Sequence, residues 1–122
     1  MTLSATGFHD AVDYKIVVDK DQTAVAVQEN VTTAPGRLFS VIVDCTQTVV
    51  DHYVKLYDGT SPVAGNTIPD MTLKGTAGLS VTYQIPYGIA FNKLNFWISR
   101  LKAQTDTTAP AAKVTVTLVC NP

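Results

Sequence analysis

The sequence predicts an all-β protein folded as a two-sheet antiparallel sandwich, and three observations support this prediction. Valine and threonine recur throughout the chain, and both are branched at Cβ, which favours the pleated backbone of a strand. Several segments alternate apolar and polar residues with the two-residue period of a half-buried strand. No segment repeats apolar residues with the period of a capped helix, so we expect no helix longer than one turn.

In the first half of the chain, three segments carry a strand pattern. Residues 13–18 are a short apolar run, and residues 23–28 place Val25 and Val27 on one face. Residues 38–46 alternate more regularly, which predicts one face that enters the core. The predicted core face of this third segment consists of Phe39, Val41, Val43 and Cys45.

Five further segments bring the predicted total to about eight strands. Residues 52–57 direct Val54 and Leu56 into the core, and residues 71–73 form a shorter strand. Residues 79–85, 94–101 and 113–120 each alternate, with Trp97 on the face opposite Phe96. The predicted core faces of these last three segments are Leu79, Val81, Tyr83 and Ile85, then Leu94, Phe96 and Ile98, then Val114, Val116, Leu118 and Cys120.

Turn-forming residues separate the strand segments and set the architecture. Gly and Pro concentrate at residues 34–36, 58–70 and 86–88, and residues 103–112 form a long polar loop. Short strands without helical crossovers favour two sheets packed face to face, and a jelly roll is the predicted version. An immunoglobulin-like sandwich is the alternative, although the Cys and Trp spacing does not follow the immunoglobulin pattern. We expect residues 13–122 to form this single domain and residues 1–12 to form an N-terminal arm.

Composition and charge narrow the classes of partner. The chain of 122 residues suffices for one domain, and 46% of the residues are hydrophobic while only 16% are charged. The net charge is −1 and no basic run occurs, so we expect no binding to nucleic acid or to an anionic membrane. No apolar run is long enough to span a bilayer, and the first residues lack the pattern of a secretory signal.

Side chains that carry chemistry are few and scattered, which predicts that the protein is not an enzyme. Cys45 and Cys120 both fall in strands, where we expect buried free thiols; a disulfide between adjacent strand ends is the alternative. His52 follows Asp51, but no nucleophile or oxyanion pocket lies at a suitable spacing. A cupin-like enzyme would need a cluster of histidines and acids on adjacent strands, and the only other histidine is His9, in the predicted arm.

No metal or cofactor site is predicted. Asp19, Asp21 and Glu29 place acidic groups near one another in sequence, but the segment lacks the glycine and terminal glutamate of a calcium loop. A solvated hairpin turn is the interpretation that we favour for this segment. No glycine-rich phosphate loop follows any predicted strand.

Aromatic side chains are the candidate contact residues. Tyr53 and Tyr57 lie on one face of their strand, Tyr87 follows Pro86, and Trp97 lies opposite the core face. Such rings allow three interpretations: packing within the sandwich, a platform for sugars or single-stranded nucleic acid, or contact with identical subunits.

Four short pieces of sequence, in a fixed order, resemble a recurrent module of tailed-phage virion proteins. The pieces are Tyr53 to Asp58 (YVKLYD), Pro62 to Gly65 (PVAG), Ile68-Pro69, and Gly88 to Phe91 (GIAF). The resemblance covers residues 38–101, which is most of the domain. Proteins with this module are small β-sandwich or jelly-roll proteins on the outside of a capsid or in the tail apparatus.

The resemblance implies a capsid decoration (cement) protein on the virion surface. Such a protein would bind the major capsid protein, form a homotrimer and stabilise the shell, with no nucleic-acid or membrane partner. The alternative is a receptor- or glycan-binding module of a tail fibre or host-attachment protein. That alternative needs an exposed aromatic platform beside Asp, Asn or Gln side chains.

Overall fold

The computed structural model describes the backbone of residues 15–22 and the whole of residues 24–121. The predicted N-terminal arm of residues 1–12, which includes His9, lies outside the described residues. The described part of the chain contains seven strands and no helix, which confirms the all-β prediction. The strands are β1 (Lys15–Gln22), β2 (Gly36–Asp44), β3 (His52–Asp58), β4 (Met71–Gly75), β5 (Ser80–Phe91), β6 (Leu94–Ser99) and β7 (Val114–Asn121).

The strands form two antiparallel sheets in jelly-roll order. The four-stranded sheet has the order β1-β7-β2-β5, and the three-stranded sheet has the order β4-β3-β6. A single bridge pairs Gln28 with Phe96 on the free side of β6 and takes the place of an eighth strand. If this bridge counts as the second of eight positions, the sheets become 1-8-3-6 and 2-7-4-5, the jelly-roll arrangement.

The predicted strand over residues 23–28 is therefore reduced to one point of pairing. Gln28 exchanges both backbone hydrogen bonds with Phe96, at 2.8 and 3.1 Å. Two residues later Asn30 adopts a left-handed conformation, with φ at 45°, which interrupts the extended backbone. The chain stays beside β6, because the N–H of Val31 donates to the carbonyl of Leu94 at 3.0 Å, but no continuous strand forms here.

The core lies between the two sheets and follows most of the predicted alternation. The prediction that Leu79 belongs to a core face is wrong, because Leu79 precedes β5 and is 56% exposed. In β7 the residues alternate buried and half-buried along the whole strand, as predicted. Gly75 in β4 lies in close contact with side chains at the end of β2, because a Cβ there would come within 2.6 Å of Cys45 Sγ and Val43 Cγ1. The buried apolar residues of this core include Leu38, Val41, Val43, Cys45, Val54, Leu56, Phe91, Leu94, Phe96, Ile98, Val114, Val116, Leu118 and Cys120.

The prediction that Phe39 enters the core is wrong. The register of β2 shifts between Leu38 and Ser40 against both of its neighbours, so one extra residue interrupts the alternation. Leu38 takes the core position instead, and Phe39 lies beside Gly88 of β5, where a Cβ would approach its ring to 2.9 Å.

Two segments that were predicted as turns lie instead inside strands, where they interrupt the regular pairing. The break at residues 86–88 lies inside β5, where Tyr87 and Gly88 have φ values of 66° and 73°. The Arg37 side chain donates hydrogen bonds to the carbonyls of Tyr87 and Gly88, at 3.0 and 3.2 Å, which holds this bulge against β2. The predicted hairpin at Asp19 and Asp21 lies inside β1, where the pairing with β7 shifts between Asp19 and Gln22.

The two cysteines are free and buried at opposite ends of the core. Cys45 follows the last residue of β2, whereas Cys120 pairs with Leu38 near the beginning of that strand. At about 3.3 Å per residue the two positions are roughly 20 Å apart, which excludes a disulfide between them within one chain. The buried-thiol prediction is therefore confirmed.

Candidate functional site

The outer face of the three-stranded sheet is covered by the loop of residues 100–113, which we call the strap. All six residues of β6 are buried. In a strand with one face on the core and the other in solvent, every second side chain would be exposed. The residues that point away from the main core, Asn95, Trp97 and Ser99, are at most 1% exposed. The sandwich thus has a second buried layer outside this sheet, beneath the strap at Lys55 and beneath the loops of Asn30 and Gly59 at Asn95.

Three side-chain hydrogen bonds hold the strap in place. Lys55 Nζ donates to the carbonyl of Ala103 at 2.6 Å, and the backbone N–H of Ala111 donates to His52 Nε2 at 3.0 Å. Gln104 Nε2 donates to the carbonyl of Gly65 at 3.2 Å, which joins the strap to the loop between β3 and β4. The strap is therefore fixed near its beginning, by Ala103 and Gln104, and near its end, by Ala111.

Lys55 is a buried lysine on the outer face of β3, with 0% of its surface exposed. It lies opposite Trp97 in the register of β3 and β6, beneath the strap. Burial lowers the pKa of its ammonium group, and the charge of Asp106 in the strap partly opposes this shift. The strap thus supplies a hydrogen-bond acceptor and a nearby negative charge to a cation that the sheet alone would leave in solvent.

His52 is buried in a single tautomer. Its Nε2 accepts from Ala111, so the ring proton lies on Nδ1, which donates to the carbonyl of Val50 at 3.0 Å. Burial lowers the pKa of His52, the Val50 carbonyl opposes this shift, and the charge of Arg100 adds to it. The Asp51 carboxylate accepts instead from the N–H of Ala77 at 2.9 Å and pairs with Lys74 at 3.3 Å. His52 and Asp51 therefore form no hydrogen-bonded dyad.

A groove opens beside the strap, and Tyr53 forms its centre. It consists of a cavity of about 480 Å³ and a second cavity of about 310 Å³, and both are lined by Tyr53 and Lys102. We call the two together the Tyr53 groove. Its other lining residues are Val50, Asp51, Arg100, Leu101 and Thr108 in the larger cavity and Thr72, Leu73, Lys74 and Tyr83 in the smaller one.

The Tyr53 groove is positively charged although the chain has a net charge of −1. Three of the nine Lys and Arg residues of the chain, Lys74, Arg100 and Lys102, line it. Asp51 is the single acidic residue in the lining, so the three cations give the lining a formal charge of +2. An anion that enters the groove therefore meets a favourable potential.

At the far end of the sandwich, a corner joins the loop after β3 to the turn between β5 and β6. Asp58 Oδ1 accepts from the backbone N–H groups of Asn92 and Lys93, both at 2.9 Å, and thereby caps that turn. The N–H of Asp58 donates to Asp70 Oδ2 at 2.8 Å. A small apolar cavity of about 60 Å³ lies beneath this corner, lined by Leu38, Leu56, Tyr57, Asp58, Asp70, Met71, Ile89, Ala90, Phe91 and Leu94.

Asn95 organises the same corner from within the second buried layer. Its Nδ2 donates to the carbonyls of Tyr57, Gly59 and Lys93 at 2.8 to 3.0 Å. Its Oδ1 accepts from the N–H of Asn30 at 2.9 Å. One side chain thus satisfies backbone groups from three loops.

The structure places the four predicted contact residues in different surroundings. Tyr53 lines the groove, and half-buried Tyr57 lines the apolar corner with its ring against Gly59. Tyr87 is 90% exposed on the bulge of β5. Trp97 is completely buried, so its side chain offers no surface to a partner in this structure.

Sequence reasoning missed the cations of the groove and the buried Lys55. A usable signal for the groove existed, because Arg100 and Lys102 stand close together in a chain with few charges. Among the residues that the structure describes, no three His, Cys, Asp or Glu side chains come together as metal ligands. The same residues include no helix with the length and apolarity needed to cross a membrane.

Comparisons with known proteins identify no relative. The chain matches no protein-family model, and neither a curated protein nor a solved structure matches it significantly.

Proposed function

We propose that this chain is a structural virion protein of the capsid decoration type, which binds the major capsid protein on the outside of a tailed-phage shell as a homotrimer. The observation that carries this proposal is that the first and the last of the four resembling segments meet at one corner of the sandwich. Tyr57-Asp58, from the first of these segments, and Ile89 to Phe91, from the last, line one apolar cavity. Segments 30 residues apart in sequence thus form one structural unit, which supports a shared framework over chance similarity.

The surface of the molecule also supports a role in binding without catalysis. Large apolar side chains project from two loops and from the bulge of β5, with Val49 92% exposed, Ile68 73% exposed and Tyr87 90% exposed. Side chains of this kind gain free energy when a partner covers them. The proposed mechanism is passive: each copy buries about 1,600 Å² with its neighbours, and many copies on one shell add avidity.

The test is a binding experiment with shells of the parent particle that lack this protein. Light scattering coupled to size exclusion should give a trimer, and the protein should co-sediment with the shells. Val49→Ser, Ile68→Ser and Tyr87→Ser should each leave the melting temperature of the protein unchanged. If one of these three residues lies at the contact surface, its substitution should weaken binding to the shells, measured by co-sedimentation, by about tenfold or more. A monomer that does not bind the shells would contradict the proposal.

A receptor- or glycan-binding module is the second candidate, and the Tyr53 groove favours it. The groove combines an aromatic ring with Asp51 and two threonines, a combination that sugar-binding sites use. A glycan array compared between the native protein and Tyr53→Ala tests this candidate. Binding to an array spot that Tyr53→Ala abolishes would support it, and an array without any signal would exclude it.

A further inference from the structure

We propose that the Tyr53 groove is a binding site for an acidic saccharide, whose carboxylates pair with Arg100 and Lys102 while a sugar ring stacks on Tyr53. This inference rests on the second candidate function and does not depend on capsid binding. It adds the chemical class of the ligand and the residues that select it.

The size and continuity of the groove fit an extended small ligand. Each of its two cavities, at about 480 and 310 Å³, reaches the range of known ligand sites. Tyr53 and Lys102 line both, so one ligand can occupy both cavities and contact both side chains. An oligosaccharide has this elongated shape.

The charges of the groove select an anion. Within residues 24–121, the side chains of Arg100 and Lys102 make no ion pair or hydrogen bond. Asp51 is already held by Lys74 and by the N–H of Ala77, so it does not neutralise them. A guanidinium group binds a carboxylate through two parallel hydrogen bonds, which makes Arg100 the stronger selecting residue.

The strap holds the backbone that carries both cations in place before any ligand binds. The N–H of Leu101, between them, donates to Asp106 Oδ2 at 3.0 Å, and the N–H of Arg100 donates to the carbonyl of Thr108 at 3.3 Å. Asp106 also accepts from the hydroxyl of Thr108 at 2.7 Å, which closes this part of the strap on itself. A preformed backbone reduces the entropy lost on binding.

A saccharide fits the groove better than an acidic peptide does. Extended peptides bind most readily by adding a strand to a free sheet edge. In β4, which borders the smaller cavity, the carbonyl of Lys74 already accepts from the Tyr83 hydroxyl at 2.6 Å. Recognition must therefore come from side chains, and the ring of Tyr53 with flanking cations and hydroxyls suits a charged sugar.

Calorimetric titration of the full chain with trigalacturonic acid tests the proposal, with neutral maltotriose and a triglutamate peptide as comparison probes. We expect trigalacturonic acid to bind at least about tenfold more tightly than either comparison probe, and more weakly as salt rises. Arg100→Gln with Lys102→Gln, and Tyr53→Ala, should each reduce the affinity by about tenfold or more. Lys93→Gln, which removes a cation at the far corner, is the matched control and should keep the affinity.

The outcomes separate the proposals. Equal binding of trigalacturonic acid to the native protein and to the Arg100→Gln, Lys102→Gln variant would overturn the inference, as would tighter binding of triglutamate. Binding of neutral sugars alone would keep the second candidate function and overturn the acidic class. Because both glutamines replace exposed or half-exposed side chains, an unchanged melting curve establishes that the double variant is folded.

Discussion

The outer faces of the two sheets differ in what covers them, although both belong to strands with the same alternating pattern. On the four-stranded sheet, Ile42 and Thr117 are half-buried and Thr82 is exposed, as expected for a face in contact with solvent. On the three-stranded sheet, Lys55 and Trp97 are completely buried. The difference comes from the strap, which crosses only the second face.

This comparison shows that alternation identifies the two faces of a strand but not which of them is buried. Side chains alternate between the two faces of a strand because of its backbone geometry, which is a local property of the sequence. Burial of the outer face depends on a loop that returns from a distant part of the chain, such as the contact of Ala103 with Lys55. A polar side chain on the outer face therefore needs a partner that only the tertiary structure supplies.

The largest expected effect is the loss of Trp97. Trp97→Ala should lower the free energy of unfolding by about 3–5 kcal/mol, because it leaves a cavity between sheet and strap. Thr117→Ala on the uncovered face should change it by less than about 1 kcal/mol. Urea unfolding followed by circular dichroism measures both. Similar costs for the two variants would mean that the strap does not pack as a second buried layer.

Asn95→Ala should have the next largest effect. It removes the Nδ2 donor to the half-buried carbonyls of Tyr57 and Gly59 and the Oδ1 acceptor of the Asn30 N–H. The Lys93 carbonyl still accepts from the N–H of Gly59 at 3.1 Å. We expect a loss of about 2–4 kcal/mol in the free energy of unfolding. Asn92→Ala, an exposed asparagine at the same corner, is the control and should be nearly neutral. An equal loss in the control would contradict the role of the Asn95 side chain.

The pH dependence of stability should identify His52 as an anchor of the strap. Its pKa is lowered in the folded state, so the unfolded state binds more protons once the pH falls below the ordinary value of about 6.5. Stability should therefore be complete above pH 6.5 and fall as the pH drops toward the lowered pKa. The lowered pKa values of Asp44, Asp51 and Asp106 act only at more acidic pH.

Trp97, the single tryptophan of the chain, reports on this transition. Protonation of His52 Nε2 removes the acceptor of the Ala111 N–H, so the strap should loosen and the emission of Trp97 should shift to longer wavelength. His52→Asn should remove most of the stability change between pH 6.5 and 5. A variant with the native pH profile would assign that change to another group.

The smallest effect is expected for Lys55→Met. This change removes a buried cation and its single hydrogen bond to Ala103 while it keeps most of the volume. Replacing a buried charge by an apolar side chain is often neutral, so we expect a change within about 1 kcal/mol in either direction. Denaturant unfolding beside Lys74→Met, an exposed control, measures it. A loss above 3 kcal/mol would show that the ammonium group itself holds the strap.

Much of the fold could be predicted from sequence, because the alternation is strong where it matters. The core positions of β7 and the pair Val54 and Leu56 of β3 were predicted correctly, and so was the two-sheet arrangement. The bulge at Phe39 was not, because one extra residue in β2 leaves the pattern on either side intact. The second buried layer and the charged groove also escaped prediction, because both arise from the path of residues 100–113.

The reaction rates of the two buried thiols can report local opening at the two ends of the core. Cys45 lies beneath Gly75 near the strap, and burial with the nearby charges of Asp44 and Asp51 raises its pKa to about 11. A thiol of this kind reacts with an alkylating reagent only when its surroundings open and admit water. The labelling rates of Cys45 and Cys120, measured by mass spectrometry, would therefore show which end of the sandwich opens more often.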